Sequence, residues 1–214
     1  FTKKLLNKKN LNKNIENSVQ EKLRLFKIKK FENLLIHNFD QLNHDDLKSL
    51  EPLLLILKKK KLIRNIGISV YDTSALKKIK NLDFINIIQA PINLFDRRFT
   101  TKKIVKFLKK KKIKLQARSI FLQGKLLDSF KKTTYKKNKI YINYNSWLIE
   151  KNRQPLKTCL DYIKSESCIS SLVIGINSMS QLKEIINLTK NKKKLEFPLK
   201  IQTVNKKIID PRIW

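Results

Sequence analysis

Five positions of this chain put polar or small residues where a ligand could be held: His37, Ser69, Gln89, the pair Arg118 and Ser119, and Gly175. Each follows a short apolar run, at 33–36, 63–68, 84–88, 113–117 and 170–174. The runs are four to six residues long and rich in Ile, Leu, Val and Phe, as strands buried on both faces should be. A helical segment follows each run. Strand–helix repeats build parallel sheets, and ligands of parallel sheets bind at the carboxyl ends of the strands. An imidazole, a hydroxyl, a carboxamide and a guanidinium are thereby gathered at the ligand-binding face.

The helices that must position these groups are legible from their apolar spacing. Residues 14–26 carry Ile15, Val19, Leu23 and Phe26 on one face. Asp45 and Asp46 start a helix to about Lys60, striped by Leu50, Leu53, Leu54 and Leu57. Asp72–Ser74 cap a short helix to Lys80, and Thr100 or Thr101 caps one to Lys111. Residues 120–139 form the longest excursion, at the ligand-binding face, where long loops are usually functional. Helices at 141–150 and 155–166 follow, the second opened by Pro155, and Ser178 opens the last, to about Lys190. The tail at 195–214 shows no clear periodicity.

Composition sets bounds on class and partners. Hydrophobic residues make up 41%, which suits a folded core, and three glycines with five prolines leave no visible linker. A single domain over 1–214, with 195–214 as its C-terminal tail, is the economical reading. No apolar run is long enough for a membrane span, no signal peptide is visible, and two cysteines make no disulfide framework; a cytoplasmic location is expected. No metal-ligand constellation stands out. The net charge of +32 would suit a polyanion. Yet it comes from 42 lysines against seven arginines, whereas nucleic-acid interfaces favour Arg with interleaved aromatics. The lysine runs at 58–61 and 109–112 each close a helix, where cations suit the dipole. The charge is read as solvated surface, not as a nucleic-acid site. Residue 1 is Phe and the sole methionine is Met179, so an N-terminally truncated sequence is expected.

Several stretches resemble the aldo-keto reductases. These are Leu34-Leu35-Ile36-His37-Asn38-Phe39-Asp40, Asn65-Ile66-Gly67-Ile68-Ser69, Gln89-Ala90-Pro91-Ile92-Asn93, Ser119-Ile120-Phe121-Leu122-Gln123-Gly124, and Val173-Ile174-Gly175-Ile176-Asn177-Ser178 with Gln181, Leu182 and Glu184. The order and spacing hold from Thr2 to about Ile186. The run through Gly124 and the ending Asp210-Pro211-Arg212-Ile213-Trp214 look closest to the bacterial branch found among surface-polysaccharide genes.

The resemblance implies an α/β fold, a (β/α)8 TIM barrel, here lacking its first two strands and most of the third. A partial barrel of this kind exposes unpaired edges, so instability or aggregation of the chain alone is expected. It also implies an oxidoreductase that reduces an aldehyde or ketone with NADPH, NADH not being excluded; a sugar-related carbonyl rests on the branch alone. The family's catalytic groups are Asp, Tyr, Lys and His. The Tyr donates a proton to the carbonyl oxygen, the Lys lowers its pKa, and the His orients the oxygen. His37 matches the His. Lys3, which follows Thr2, matches the Lys, with Lys4 as its rival. The Asp and Tyr have no counterpart, so this chain alone is expected to lack turnover. For the cofactor, Gln89 and Ser69 match the carboxamide partners, although Val70 replaces the usual Asn. Arg118 stands where many members stack an aromatic on the nicotinamide. Ser119, Phe121 and Gly124 match the loop over the pyrophosphate. Ser178, Gln181 and Glu184 match the adenosine and 2′-phosphate region, with Ile185 in place of an Asn and no Arg at Gln181, and Gly175 is counted with the cofactor-binding residues. Ser178 is equally readable as an ordinary helix cap.

Asp96, Arg97 and Arg98 read as a structural ion-pair cluster, Trp147 and Trp214 as packing anchors, and His44 as a solvated loop residue. Two other functions compete: a non-catalytic cofactor-binding relative acting as a regulatory or scaffold protein, and a basic nucleic-acid binder. Salt-sensitive binding would mark the latter. Substrate identity and oligomeric state are not legible.

Overall fold

A computed structural model describes residues 11–37, 39–128, 138–190 and 196–214. Five strands follow the order of the chain in a five-stranded sheet. They are β1 (Phe31–Ile36), β2 (Ile63–Ser69), β3 (Ile87–Pro91), β4 (Lys114–Arg118) and β5 (Ile169–Leu172). All five anticipated strands form, displaced at their ends by up to three residues. The helices between them are α1 (Leu11–Leu25), α2 (His44–Lys59), α3 (Ala75–Lys78), α4 (Lys102–Lys110), α5 (Lys139–Glu150), α6 (Pro155–Ser165), α7 (Met179–Thr189) and α8 (Lys206–Ile209). Strands paired in parallel with helical crossovers are the α/β arrangement expected from the alternating pattern. No described helix is long and apolar enough to cross a membrane. The chain packs as two compact units: residues up to Gln89 with Leu108–Lys114, and Ala90–Phe107 with Leu115 onward.

In the first unit, β1 and β2 pair in parallel from Phe31↔Ile63 to Ile36↔Ile68, and β2 continues onto β3 to Ser69↔Gln89. The leucine stripe of α2 is buried as its spacing requires: Leu50, Leu54 and Leu57 have no exposed surface. Asn43, not Asp45, caps this helix. Its side chain accepts from the Asp46 N–H at 2.8 Å while Asp46 accepts from the Asn43 N–H at 2.9 Å, a reciprocal capping box. His44 is thus the first helical residue, and exposed.

Helix ends recur in one form without glycine. Lys27, Lys61, Lys112 and Asn152 all adopt positive φ, of 54°, 59°, 54° and 47°. The next N–H in each case reaches back five residues: Ile28 to Leu23, Leu62 to Leu57, Ile113 to Leu108 and Arg153 to Leu148, at 2.9–3.1 Å. These are Schellman closures over buried leucines. A lysine there bears a backbone cost of about 1 kcal/mol that glycine does not. Lys61→Gly and Lys112→Gly should therefore each stabilise the protein by roughly 0.5–1 kcal/mol. A raised urea midpoint checks this; a lowered midpoint for both would contradict it.

The second unit holds an aromatic cluster. Phe95 meets Tyr141 and Tyr144 edge-on at 5.0 and 5.4 Å between ring centroids, and Phe197 meets Tyr162 at 5.3 Å and Trp147 at 5.9 Å. Trp147 is a buried anchor as read from the sequence. Trp214 is not; it is 45% exposed and lies over the Lys125 ammonium. The tail, aperiodic in sequence, folds into α8 and single turns at Leu199–Ile201 and Pro211–Ile213. β4 and β5 pair in parallel with a register shift between Leu115 and Gln116. Along β5 and α7, Leu172, Val173, Met179 and Ile186 are exposed, and no residue of α7 is buried.

Both cysteines are thiols, Cys159 buried and Cys168 half-buried. Burial pushes the Cys159 thiol up to about 12, the setting of an inert packing residue.

Candidate cofactor site

In the first unit, register lines up three of the expected residues. Ser69 pairs with Gln89, and His37 stands one residue past the Ile36↔Ile68 pair. Imidazole, hydroxyl and carboxamide therefore stand at one level, at or near the carboxyl ends of three neighbouring strands. Ser69 is buried, Gln89 half-buried and His37 exposed. The Gln89 carbonyl accepts from the Val70 N–H at 3.0 Å, which ties the two strand ends together. Gly67 makes this approach feasible: a Cβ built there would lie 2.5 Å from the Ile87 carbonyl oxygen and 2.4 Å from its Cγ2. Lys3, like Lys4, falls outside the described residues.

In the second unit, Arg118 ends β4 and the chain enters a tight loop. Ser119, Leu122 and Gln123 adopt positive φ of 55°, 49° and 54°, followed by Gly124 at 83°. Left-handed Ser, Leu and Gln store strain, so the loop needs outside support. Ile120, Leu122 and Leu126 are buried plugs, and Tyr144 Oη donates to the Leu126 carbonyl at 3.2 Å. Asn93 Nδ2 donates to the Ser119 carbonyl at 3.2 Å. The Arg118 guanidinium is half-buried and donates through Nη1 to Ser119 Oγ at 3.2 Å.

Asn93 is a hub the sequence reading passed over. It has no exposed surface, and its Oδ1 accepts from the Phe95 and Asp96 N–H groups at 3.0 and 2.9 Å. An Asn three residues before an Asp was the available signal for such a turn. The charged trio also divides differently from the reading as one cluster. Asp96, fully buried, is held by Arg98 Nε and Nη2, both at 2.8 Å. Arg97 instead stacks 5.2 Å from the Tyr162 ring and donates to the Phe197 and Pro198 carbonyls at 3.2 Å. The reason is geometric: Asp96 is saturated by the planar fork of Arg98.

At the start of α7, Ser178 accepts from the Gln181 N–H at 3.2 Å, and Gln181 Oε1 accepts from the Asn177 N–H at 2.9 Å. Both side chains serve the helix start, as the capping reading of Ser178 holds.

A cavity of about 650 Å³ lies between the Arg118–Leu127 stretch and the start of α7. Seven of the residues singled out from the sequence line it: Arg118, Ser119, Phe121, Gly124, Gly175, Gln181 and Glu184. Ser178 sits between two lining residues, Asn177 and Gln181, without lining the wall itself. Ile120, Gln123, Val173, Ile174, Asn177 and Ile185 lie within the same motifs, whereas Leu156 comes from α6, where nothing in the sequence marked it. A Cβ built on Gly175 or Gly124 would meet nothing within 4 Å. Among the described residues, Arg118 and Glu184 are the charged ones on this wall. Among the described residues, no group of His, Cys, Asp and Glu could hold a metal ion.

Comparison with known proteins places this arrangement. No curated protein is detectably similar in sequence. Among solved structures, the holo and apo forms of the aldo-keto reductase AKR11C1 from Bacillus halodurans superpose with TM-scores of 0.68 and 0.69 at 19% identity, over 85% of this chain. The thermostable aldo-keto reductase Tm1743 superposes at 0.62 and 17% identity, again over 85%. The aligned part spans 62%, 64% and 62% of those chains, less than two thirds of each. Their likeness shows the fold, an α/β arrangement matching the (β/α)8 barrel of these enzymes. The model of the Aldo/keto reductase family matches residues 2–206, and the chain belongs to that family of oxidoreductases.

Proposed function

We propose that this chain provides the cofactor-binding part, and two catalytic groups, His37 and Lys3, of an NAD(P)H-dependent carbonyl reductase. The observation that carries the reading is the cavity: seven of the ten residues assigned to the dinucleotide from sequence motifs line one wall. The residues also fit the group. Two glycines leave the wall open, Gly124 among them at positive φ, and amide-bearing and hydroxyl side chains dominate its polar lining.

A bound nicotinamide supplies the hydride. By the family resemblance, Gln89 and Ser69 of the first unit would hold its carboxamide. Arg118 of the second unit would serve the nicotinamide, Ser119, Phe121 and Gly124 the pyrophosphate, and Gly175, Ser178, Gln181 and Glu184 the adenosine half. His37 donates a hydrogen bond to the carbonyl oxygen of the substrate and orients it. Lys3 lowers the pKa of a phenol acid. That phenol is neither Tyr144 nor Tyr162: burial drives both phenols upward, away from what an acid at neutral pH needs. The substrate is a small aldehyde or ketone.

His37→Gln should lower kcat by about 100-fold or more with cofactor affinity unchanged, a loss typical of removing a group that acts in the transition state. Carbonyl-dependent oxidation of NADPH by the whole protein reads this out. An unchanged kcat would remove His37 from the mechanism.

One observation favours NADH over NADPH. The resemblance assigns NADPH, yet among the described residues the wall near α7 presents Gln181 and the Glu184 carboxylate and no cation. A carboxylate repels a 2′-phosphate and accepts from a ribose hydroxyl. NADH should therefore bind at least as tightly as NADPH, and Glu184→Gln should shift the ratio of their Kd values toward NADPH. A strong NADPH preference in the wild type, unmoved by that substitution, contradicts this.

A further inference from the structure

The tail reaches the loop that lines the cavity. Arg97 grips its Phe197 and Pro198 carbonyls, Asn143 Nδ2 donates to the Lys200 carbonyl at 3.2 Å, and the Thr203 N–H donates to the Phe95 carbonyl at 2.9 Å. Ile201 and Ile209 are buried. Asp210 then caps the last turn and pairs with Arg212 Nη2 at 2.7 Å. So anchored, the chain brings the Trp214 ring over the Lys125 ammonium, 2.9 Å from the ring centroid. Lys125 follows Gly124 directly, in the strained loop whose Phe121, Gln123, Gly124 and Leu127 line the cavity.

We infer that Trp214 and Lys125 form a clasp that holds the cavity-lining loop and so sets how fast the cavity's ligand leaves. The loop carries three non-glycine residues in left-handed conformation, and such a segment keeps its form only when its surroundings fix it. Buried leucines fix its inner side, and the indole face fixes the outer side through a cation–π contact. Trp214 acts through Lys125 and the loop; it is a positioning residue.

The ligand part rests on the dinucleotide reading, so the test has two arms. The first is amide hydrogen exchange of the full chain over residues 120–127. Trp214→Ala and Trp214→Leu should speed exchange there about five- to tenfold, the range of a partly desolvated cation–π contact, with α6 unchanged. Trp214→Phe should restore most of the protection. Lys125→Met should match Trp214→Ala, and the double variant should do no more than either single one. The second arm is the dissociation rate of NADH and NADPH, which should rise by the same factor in Trp214→Ala. Unchanged exchange over 120–127, or effects of the two substitutions that multiply, would overturn the clasp whether or not a dinucleotide binds. Faster exchange in a protein that binds neither nucleotide would support the clasp and reject the dinucleotide reading.

Discussion

Gly67→Ala is expected to cost about 3 kcal/mol or more, enough to unfold a marginal domain. Gly67 lies in β2, and the added Cβ would fall 2.4 Å from Ile87 Cγ2, 2.5 Å from the Ile87 carbonyl oxygen and 2.6 Å from Leu35 Cδ2. Side-chain ends can swing aside; the carbonyl oxygen belongs to the β2–β3 ladder and cannot. Trimming the neighbour with Ile87→Ala should therefore fail to rescue the variant. The damage also reaches the candidate site, because Ser69 lies two residues on and pairs with Gln89. Gly175→Ala is the control: its Cβ meets nothing within 4 Å, and stability should stay within about 0.5 kcal/mol. Urea denaturation compares the three. A loss below about 1 kcal/mol for Gly67→Ala would mean that β2 and β3 are less tightly packed than described.

Asn93→Ala is the second large effect. It would strand the Phe95 and Asp96 N–H groups in an interior with no access to water and take a donor from the Ser119 carbonyl. At about 1–3 kcal/mol for each buried group left unpaired, a loss near 3 kcal/mol is expected. Because Ser119 opens the cavity loop, dinucleotide affinity should fall as well, even where the variant remains folded. Equal affinity in a destabilised Asn93→Ala protein would separate the turn from the cavity.

The framework was legible because buried parallel strands and amphipathic helices write their burial into residue spacing. The stripe from Leu50 to Leu57 is an example, and all five strand ends were found to within three residues. Most of the cavity wall falls within the motifs around Gly124 and Gly175. What escaped was set by contacts that spacing does not encode. Asn93 looks like any turn residue until its buried partners are seen. Leu156 reaches the wall from a helix whose periodicity concerns its own core. Arg97 and Arg98 are neighbours of the same charge, and only geometry assigns the carboxylate to one and the tail carbonyls to the other. Left-handed lysines at helix ends were invisible because the usual mark is glycine. Trp214 read as an anchor because indoles are usually buried; here its face serves a cation.

The central claim is that the cavity between Arg118 and Glu184 holds a nicotinamide dinucleotide. The most direct measurement is a fluorescence titration of the protein with NADH and with NADPH, in wild type and in Gly175→Leu. The leucine enters open space at a glycine without positive φ, so it fills the cavity and leaves the fold intact. The account predicts saturable binding by the wild type and a loss of at least about tenfold in the variant at unchanged melting temperature, the penalty of a side chain in the ligand's place. No binding of either nucleotide to the wild type, or equal binding to both proteins, would contradict it.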